Sequence, residues 1–167
     1  MTKLLLTTII FFGYICSSEA QIMSNDAIGI RLSEGEGFSA AITYQHAFSE
    51  HNRIELDLGL SNGKRYDGFK LTALDQMVWR IKNTGLNWYV GAGGGIASYN
   101  FDFEESNSRI KDTFTFLFLA LNSGIEYNFD IPIVISFDIR PELGLSDSNF
   151  RNDNFELDFG IAIRYQF

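Results

Sequence analysis

Asn154-Phe-Glu-Leu-Asp-Phe-Gly-Ile-Ala-Ile-Arg-Tyr-Gln-Phe167 alternates without a break. Phe155, Leu157, Phe159, Ile161, Ile163, Tyr165 and Phe167 are apolar. Asn154, Glu156, Asp158, Gly160, Ala162, Arg164 and Gln166 between them are polar or small. A β-strand sends successive side chains to opposite faces, so this stretch predicts one greasy face and one polar face. Aromatic rings stand at both ends of the greasy face, with aliphatics between them. That order suits a strand crossing a bilayer, with rings at the two interfaces. Strands in soluble sheets usually run about 5–6 residues, and this one is much longer.

The same alternation recurs upstream. Ile28, Ile30 and Leu32 share a face within Asp26–Ser33, and Glu34-Gly-Glu-Gly37 is a tight connection. Phe38, Ala40, Ile42 and Tyr44 mark a second strand ending near Phe48. Ser49-Glu-His-Asn52 turns the chain, and Ile54, Leu56, Leu58 and Leu60 mark the third strand. Ser61–Gly68 is polar and glycine-bearing and is expected as a loop. In the fourth strand, Phe69–Ile81, Asp75 interrupts the apolar parity, and a bulge could re-aim it inward. Leu86, Trp88, Val90, Ala92 and Ile96 mark the fifth strand, and Tyr99–Asp112 is expected as the longest polar loop. The sixth, Thr113–Phe129, changes parity after Phe118, which suggests a bulge or a twisted extension. Pro132 lacks an N–H and belongs at the start of the seventh strand, in which Ile133, Ile135, Phe137 and Ile139 alternate. Pro141–Asp153 is expected to hold the last loop. These readings predict an all-β fold: an eight-stranded antiparallel up-and-down transmembrane β-barrel. Short turns near Ser49, Lys82 and Asp130 alternate with longer polar connections near Ser61, Tyr99 and Leu143. Such barrels keep short turns in the periplasm and longer loops outside, which puts both termini in the periplasm.

The first twenty residues stand apart from the barrel, expected at 21–167. Lys3 is followed by an apolar run, Leu4–Ile15, and Ser18-Glu-Ala20 forms a small-x-small site. This pattern predicts a signal peptide over 1–20, cut before Gln21. A lipoprotein signal on Cys16, the single cysteine, is the rival, but bulky Ile15 precedes it. The remaining chain then has no disulfide or thiolate chemistry. No later stretch is long and apolar enough for a helical span. Yet 46% of the residues are hydrophobic and 16 are Phe, so the apolar content must lie in alternating strands. The formal charge of −8 argues against nucleic acid, which needs a basic face.

The polar parity should fill the barrel. It carries Arg31, Arg53, Glu55, Asp57, Gln76, Arg80, Glu126, Asp138, Arg140, Glu156, Asp158 and Arg164. An eight-stranded barrel is wide enough only for side chains, so these charges should pair across the lumen as a structural network. Arginine suits this because its planar fork binds carboxylates bidentately. A gated ion path or ligand pocket is the functional alternative. Gly91-Ala-Gly-Gly-Gly95 lacks the third glycine of a dinucleotide fingerprint and the Gly-Lys-Ser/Thr of a phosphate loop. Its inward glycines are expected to leave room for arginines from neighbouring strands. His46 and His51 lie close to Ser49 and Glu50, so a serine–histidine–acid set exists on paper, although a solvated turn accounts for it. Two histidines without a cysteine make a poor zinc site, and the acids of the Tyr99 loop do not match a calcium loop. No catalytic residue, metal or cofactor is assigned.

Gly85-Leu-Asn-Trp-Tyr-Val-Gly-Ala-Gly93, Gly124-Ile-Glu-Tyr127 followed by Ile131-Pro132, and Asp138-Ile-Arg-Pro141 resemble small outer-membrane β-barrel proteins of Bacteroidetes-type bacteria. These are relatives in architecture of OmpA and OmpX barrels, and the resemblance covers about Asp26–Phe167. It implies a place in the outer membrane among its lipids and lipopolysaccharide. The terminal Tyr165-Gln-Phe167 looks like the signal read by the barrel-assembly machinery in such proteins. The resemblance carries no enzyme assignment and names no surface partner. The expected function is a non-enzymatic structural or surface-interaction role. The alternatives are a small pore or ion channel, a lipid-modifying enzyme, and a soluble lipocalin-like barrel with its greasy parity turned inward.

Overall fold

The computed structural model describes residues 26–34, 40–62, 66–82, 84–105, 108–145 and 155–167. The expected signal peptide with Cys16, the turn residues 35–37, Phe38 and the loop residues 146–153 lie outside the described residues. Eight strands follow in chain order: β1 (Asp26–Ser33), β2 (Ala40–Ala47), β3 (Asn52–Asn62), β4 (Tyr66–Arg80), β5 (Leu86–Glu105), β6 (Ser108–Asn128), β7 (Ile133–Gly144) and β8 (Phe155–Gln166). Each pairs antiparallel with the next, and β8 pairs with β1 to close the barrel. Closure leaves no edge strand along the wall.

Alternation decides which side of the wall each residue takes. On β8, Ile161 is 57% exposed and its neighbour Ala162 is 1% exposed. The same contrast holds along β3, where Leu56 and Leu58 point out and Glu55 and Asp57 are buried. The greasy parity therefore faces outward, and the lipocalin-like arrangement is overturned. The reason is steric as much as chemical: a lumen this narrow is already filled by arginines and carboxylates.

The pairing decides three irregular stretches. Asp75 is not re-aimed by a bulge. It pairs in unbroken register with Ile54 on β3 and Ala92 on β5, and it stays exposed on the outer face. Of the two readings of β6 the bulge is absent, since the register with β5 runs unbroken from Leu86↔Tyr127 to Glu105↔Ser108, and the strand does extend on the loop side, to Ser108. Phe114, Phe116 and Phe118 face inward because the barrel's inner lining turns aromatic at that end, while Thr113 and Thr115 face outward. Finally, most of the polar stretches expected as loops are strand. β3 and β4 extend to Asn62 and Tyr66, and β5 and β6 extend to Glu105 and Ser108. β7 continues through Pro141 to Gly144. Pro141 keeps its place opposite Leu157 on β8, and the gap left by its missing N–H falls on the other side, where the β6–β7 ladder skips Leu121 and Asn122.

The opposite end holds the compact turns. Ser49 Oγ accepts the N–H groups of His51 (3.4 Å) and Asn52 (3.0 Å). Thr84 Oγ donates to the Ile81 carbonyl (2.8 Å) and accepts from the Leu86 N–H (3.2 Å). These hydroxyls replace backbone partners that a tight turn cannot supply. Around this end the outer face carries rings: Trp79 stacks on Trp88 with centroids 4.4 Å apart, Tyr127 meets Phe129 edge-on, and Tyr165 lies beside Phe167.

Candidate functional site

The inner face brings together four buried arginines, one from each of four strands: Arg31, Arg53, Arg140 and Arg164. In the middle of the lumen, Arg31 grips Asp138 with two nitrogens, Nη2 at 2.6 Å and Nε at 3.2 Å. Its Nη1 reaches Asp158 at 2.8 Å. Arg140 divides between Glu55 (2.9 Å) and Asp57 (2.7 Å) on the facing wall. Arg164 donates to the other Glu55 oxygen (2.9 Å), to Ser136 Oγ (2.7 Å) and to Thr43 Oγ (3.2 Å). Glu55 also accepts from Gln45 at 2.6 Å. Charges this deep persist because each is paired: Glu55 takes donors from Gln45, Arg140 and Arg164, Asp138 is gripped by two nitrogens of Arg31, and Asp57 and Asp158 each lie against one arginine.

A second group sits nearer the short turns. Arg53 donates to Glu126 (2.8 Å) and to Gln76 (2.7 Å), and Asn87 completes Glu126 at 3.0 Å. Its guanidinium lies over the Tyr89 ring, 4.9 Å from the centroid. Gln76 and Asn122 connect the two groups. Gln76 donates to Asn122 (2.8 Å), and Asn122 donates to Asp138 (3.3 Å). A void of about 10 Å³ beside Arg53 and Glu126 is close to the minimum for one water.

Toward the other end the lining changes character. Lys70 pairs with Glu142 at 2.6 Å and lies 5.0 Å from the centroid of the Phe118 ring. Phe118 packs with Leu74, Ala97 and Ala120, and Tyr99 and Phe116 extend this cluster. Outside the same hairpin, Ser98 meets Thr115 (3.0 Å) and Thr113 donates to Asn100 (2.8 Å). The hairpin is therefore amphipathic in the reverse sense there, with rings inside and hydroxyls outside.

Glycines make the packing possible, but not in the way expected for Gly91–Gly95. A Cβ at Gly91 would stand 2.8 Å from the Gln76 side chain, and one at Gly95 would stand 2.6 Å from the Phe118 ring. These positions accommodate an amide and a ring instead of arginines. At Gly124 the occupant is Tyr89, whose hydroxyl would be 2.6 Å away. Arginine fills such a space at Gly160, on β8.

The structure places Arg31, Arg53, Glu55, Asp57, Glu126, Asp138, Arg140, Asp158 and Arg164 together in the lumen. Glu156 is half-buried and stands opposite Glu142 across β7 and β8. Arg80 differs: it has inward parity but ends β4 and is exposed, so it does not join the buried arginines. Lys70 and Glu142 were missed from the sequence. Glu142 follows Pro141, and reading proline as a strand terminator hid it, although Ile139, Pro141 and Leu143 keep the outward parity. The neutral partners Gln45, Asn87 and Asn122 carry no sequence signal beyond that parity. Tyr165 and Phe167 both point outward at the closing seam, where the Phe167 N–H donates to the Asp26 carbonyl at 2.9 Å.

The serine–histidine–acid set is not assembled. Ser49 Oγ is engaged by the turn, and His46 lies on β2 with its Nδ1 2.9 Å from Asp26. Asp26 also accepts from the Tyr44 hydroxyl. Among the described residues, no three His, Cys, Asp or Glu side chains are grouped to hold a metal ion. The side chains of the acids at 102, 104 and 105 lie outside the described part.

No protein-family model matches the chain. No curated protein matches it by sequence. Solved structures do match in fold. The N-terminal β-barrel domain of Pseudomonas aeruginosa OprF superposes with a TM-score of 0.63 at 16% identity, over 86% of this chain and 98% of that one. Neisserial surface protein A gives 0.61 at 15% identity, over 85% and 94%. Ail, the attachment invasion locus protein of Yersinia pestis, gives 0.55 at 14% identity, over 87% and 100%. At these identities the likeness is one of fold: a closed eight-stranded antiparallel barrel like those three proteins.

Proposed function

We propose that the chain is an integral outer-membrane barrel with a non-enzymatic, structural or surface-interaction role. The observation that carries this reading is the inversion of the usual order. Every strand but β5 turns exposed Leu, Ile or Phe outward, and β5 turns out Val90 and Trp88, while Arg31, Arg53, Glu55, Asp138, Arg140 and Arg164 are buried inside. A soluble monomer rarely exposes a contiguous apolar patch beyond a few hundred Å². In a bilayer the same belt is solvated by lipid, and the closed wall presents no open strand edge to hydrocarbon. The ring-bearing short-turn end then lies at the periplasmic interface with both termini, and the long hairpins project from the cell. The expected surroundings are outer-membrane lipids and lipopolysaccharide, and Tyr165 and Phe167 form the signal offered to the barrel-assembly machinery.

Within this reading the lumen is a brace. Each of its buried arginines is held by at least one carboxylate, and aromatic packing caps the outer end. The likeness to OprF, neisserial surface protein A and Ail supports the same fold in the same setting. The test is fractionation of the expressed protein. It should enter the outer-membrane fraction, resist alkaline extraction, and migrate differently in gels before and after boiling. Recovery as a soluble periplasmic protein would overturn the proposal.

A further inference from the structure

Asp75 is the one carboxylate that the outer face of β4 carries between Phe69 and Trp79. It is exposed, and it makes no side-chain hydrogen bond or ion pair with another described residue. Its outward neighbours are Ile54 and Ala92 across the strands and Ala73 and Met77 along its own. Trp79, four residues away, stands in the ring of aromatics at the short-turn end. With about 3.3 Å of rise per residue and a strand tilt of about 40°, Asp75 lies about 10 Å inside that ring. An apolar belt of about 25 Å puts it near the middle of the hydrocarbon.

A carboxylate at that depth costs stability unless something hydrogen-bonds or neutralises it. The barrel does not supply a partner, and the ladder holds the side chain outward. Around it the surface is low: Ala73, Ala92 and Gly94 adjoin one another across β4 and β5. Small residues let another backbone approach closely in a membrane, where packing and polar contacts drive association. A second copy is the wrong occupant. Among the described residues no lysine or arginine faces outward within the belt. His46 faces outward but lies at the short-turn end, beside Asp26. A two-fold axis along the membrane normal preserves depth, so a second copy would bring Asp75 no cation from the described residues, and the charged group it offers there is another Asp75.

We propose that the outer face around Asp75 docks a different membrane-embedded chain that brings a lysine, arginine or histidine to this depth. The inference rests on the membrane reading of the belt and adds a partner class to it. The probe is a leucine-rich transmembrane peptide with one central lysine, compared with its all-leucine counterpart. Each is labelled and mixed with the folded barrel in phosphatidylcholine vesicles, and energy transfer reports association. The lysine peptide should bind wild type about three- to thirtyfold more tightly than the leucine peptide. Asp75→Leu should erase that difference while keeping the heat-modifiable band of a folded barrel. Moving the acid to the far wall, as Asp75→Leu with Ile161→Asp, should not restore it.

Equal binding of the two peptides to a folded, inserted wild type would overturn the docking site. Full restoration by the relocated acid would also overturn it, because any lipid-facing carboxylate would then suffice. Self-association of wild type that disappears in Asp75→Leu would assign the face to a second copy instead. A wild-type chain that stays water-soluble beside the vesicles would overturn the membrane reading, and this site with it.

Discussion

The guanidinium of Arg31 occupies the space that a Cβ on Gly160 would need. A carbon built there would stand 2.3 Å from Nη2 and 2.4 Å from Cζ. The arginine cannot retreat freely, because Asp138 and Asp158 hold three of its nitrogens. Gly160→Ala should therefore destabilise the barrel by about 1–3 kcal/mol, the usual range for overpacking. In an Arg31→Ala background the same change should cost much less. Urea unfolding in lipid vesicles of the four variants gives the coupling, and additive effects would separate the two residues.

The wall has two sides with opposite tolerances. Ile161 is exposed on β8 in the belt, and Ile161→Arg should cost about 2–4 kcal/mol if placed near the bilayer midplane. Ala162 is buried beside the polar lumen, and Ala162→Ser should be mild. Equal sensitivity at the two positions in vesicle unfolding would reverse the assignment of faces.

Arg140 is shared by Glu55 and Asp57. Arg140→Met leaves Asp57 without its arginine, and should cost about 3–5 kcal/mol, as for other broken buried pairs. Adding Asp57→Leu should recover part of that loss. The Lys70–Glu142 pair is more open, with the lysine side chain 15% exposed, so Lys70→Met should cost less than Arg140→Met. Denaturant midpoints of these variants rank the two sites.

A lumen filled in this way should not conduct. Purified protein in planar bilayers should show no steady, large conductance. Reproducible channels that survive mild heating would favour the pore alternative.

Phe167 adds an outward ring beyond Tyr165 and a backbone hydrogen bond to Asp26. Deleting it, or Phe167→Asp, should lower the heat-modifiable, membrane-integrated fraction in cells far more than Phe150→Ala does. An unchanged fraction after truncation at Gln166 would make the terminal ring incidental.

β8 was the easiest element to read because its two parities differ at every position. β4 and β6 were harder for a physical reason. Alternation tells which residues share a face; it does not tell what each face contacts at each height. Asp75 reads as misplaced because residue type alone sends a carboxylate to the lumen, whereas continuous pairing to both neighbours fixes it outside. Phe114–Phe118 read as out of register only if the inner lining is polar throughout, and at that height it is aromatic. The site was legible as a set of inward charges, yet its pairings were not. Arg140 selects Glu55 and Asp57 through the curvature of the closed wall, which brings β7 to face β3. Arg80 failed because parity does not reveal where the lumen ends.

The seam between β1 and β8 has a consequence for how the barrel comes into being. The other ladders join strands that follow one another in the chain, while this one joins its two ends. Hairpins can zip as they are made, but the search for the last partner spans nearly the whole described sequence. Contacts of such high sequence separation slow folding, since the closure entropy is lost before any seam contact repays it. Until β8 is complete the nascent wall is a curled sheet with two live edges. Those edges stay open until then, and the order of events is set: the first strand waits for the last.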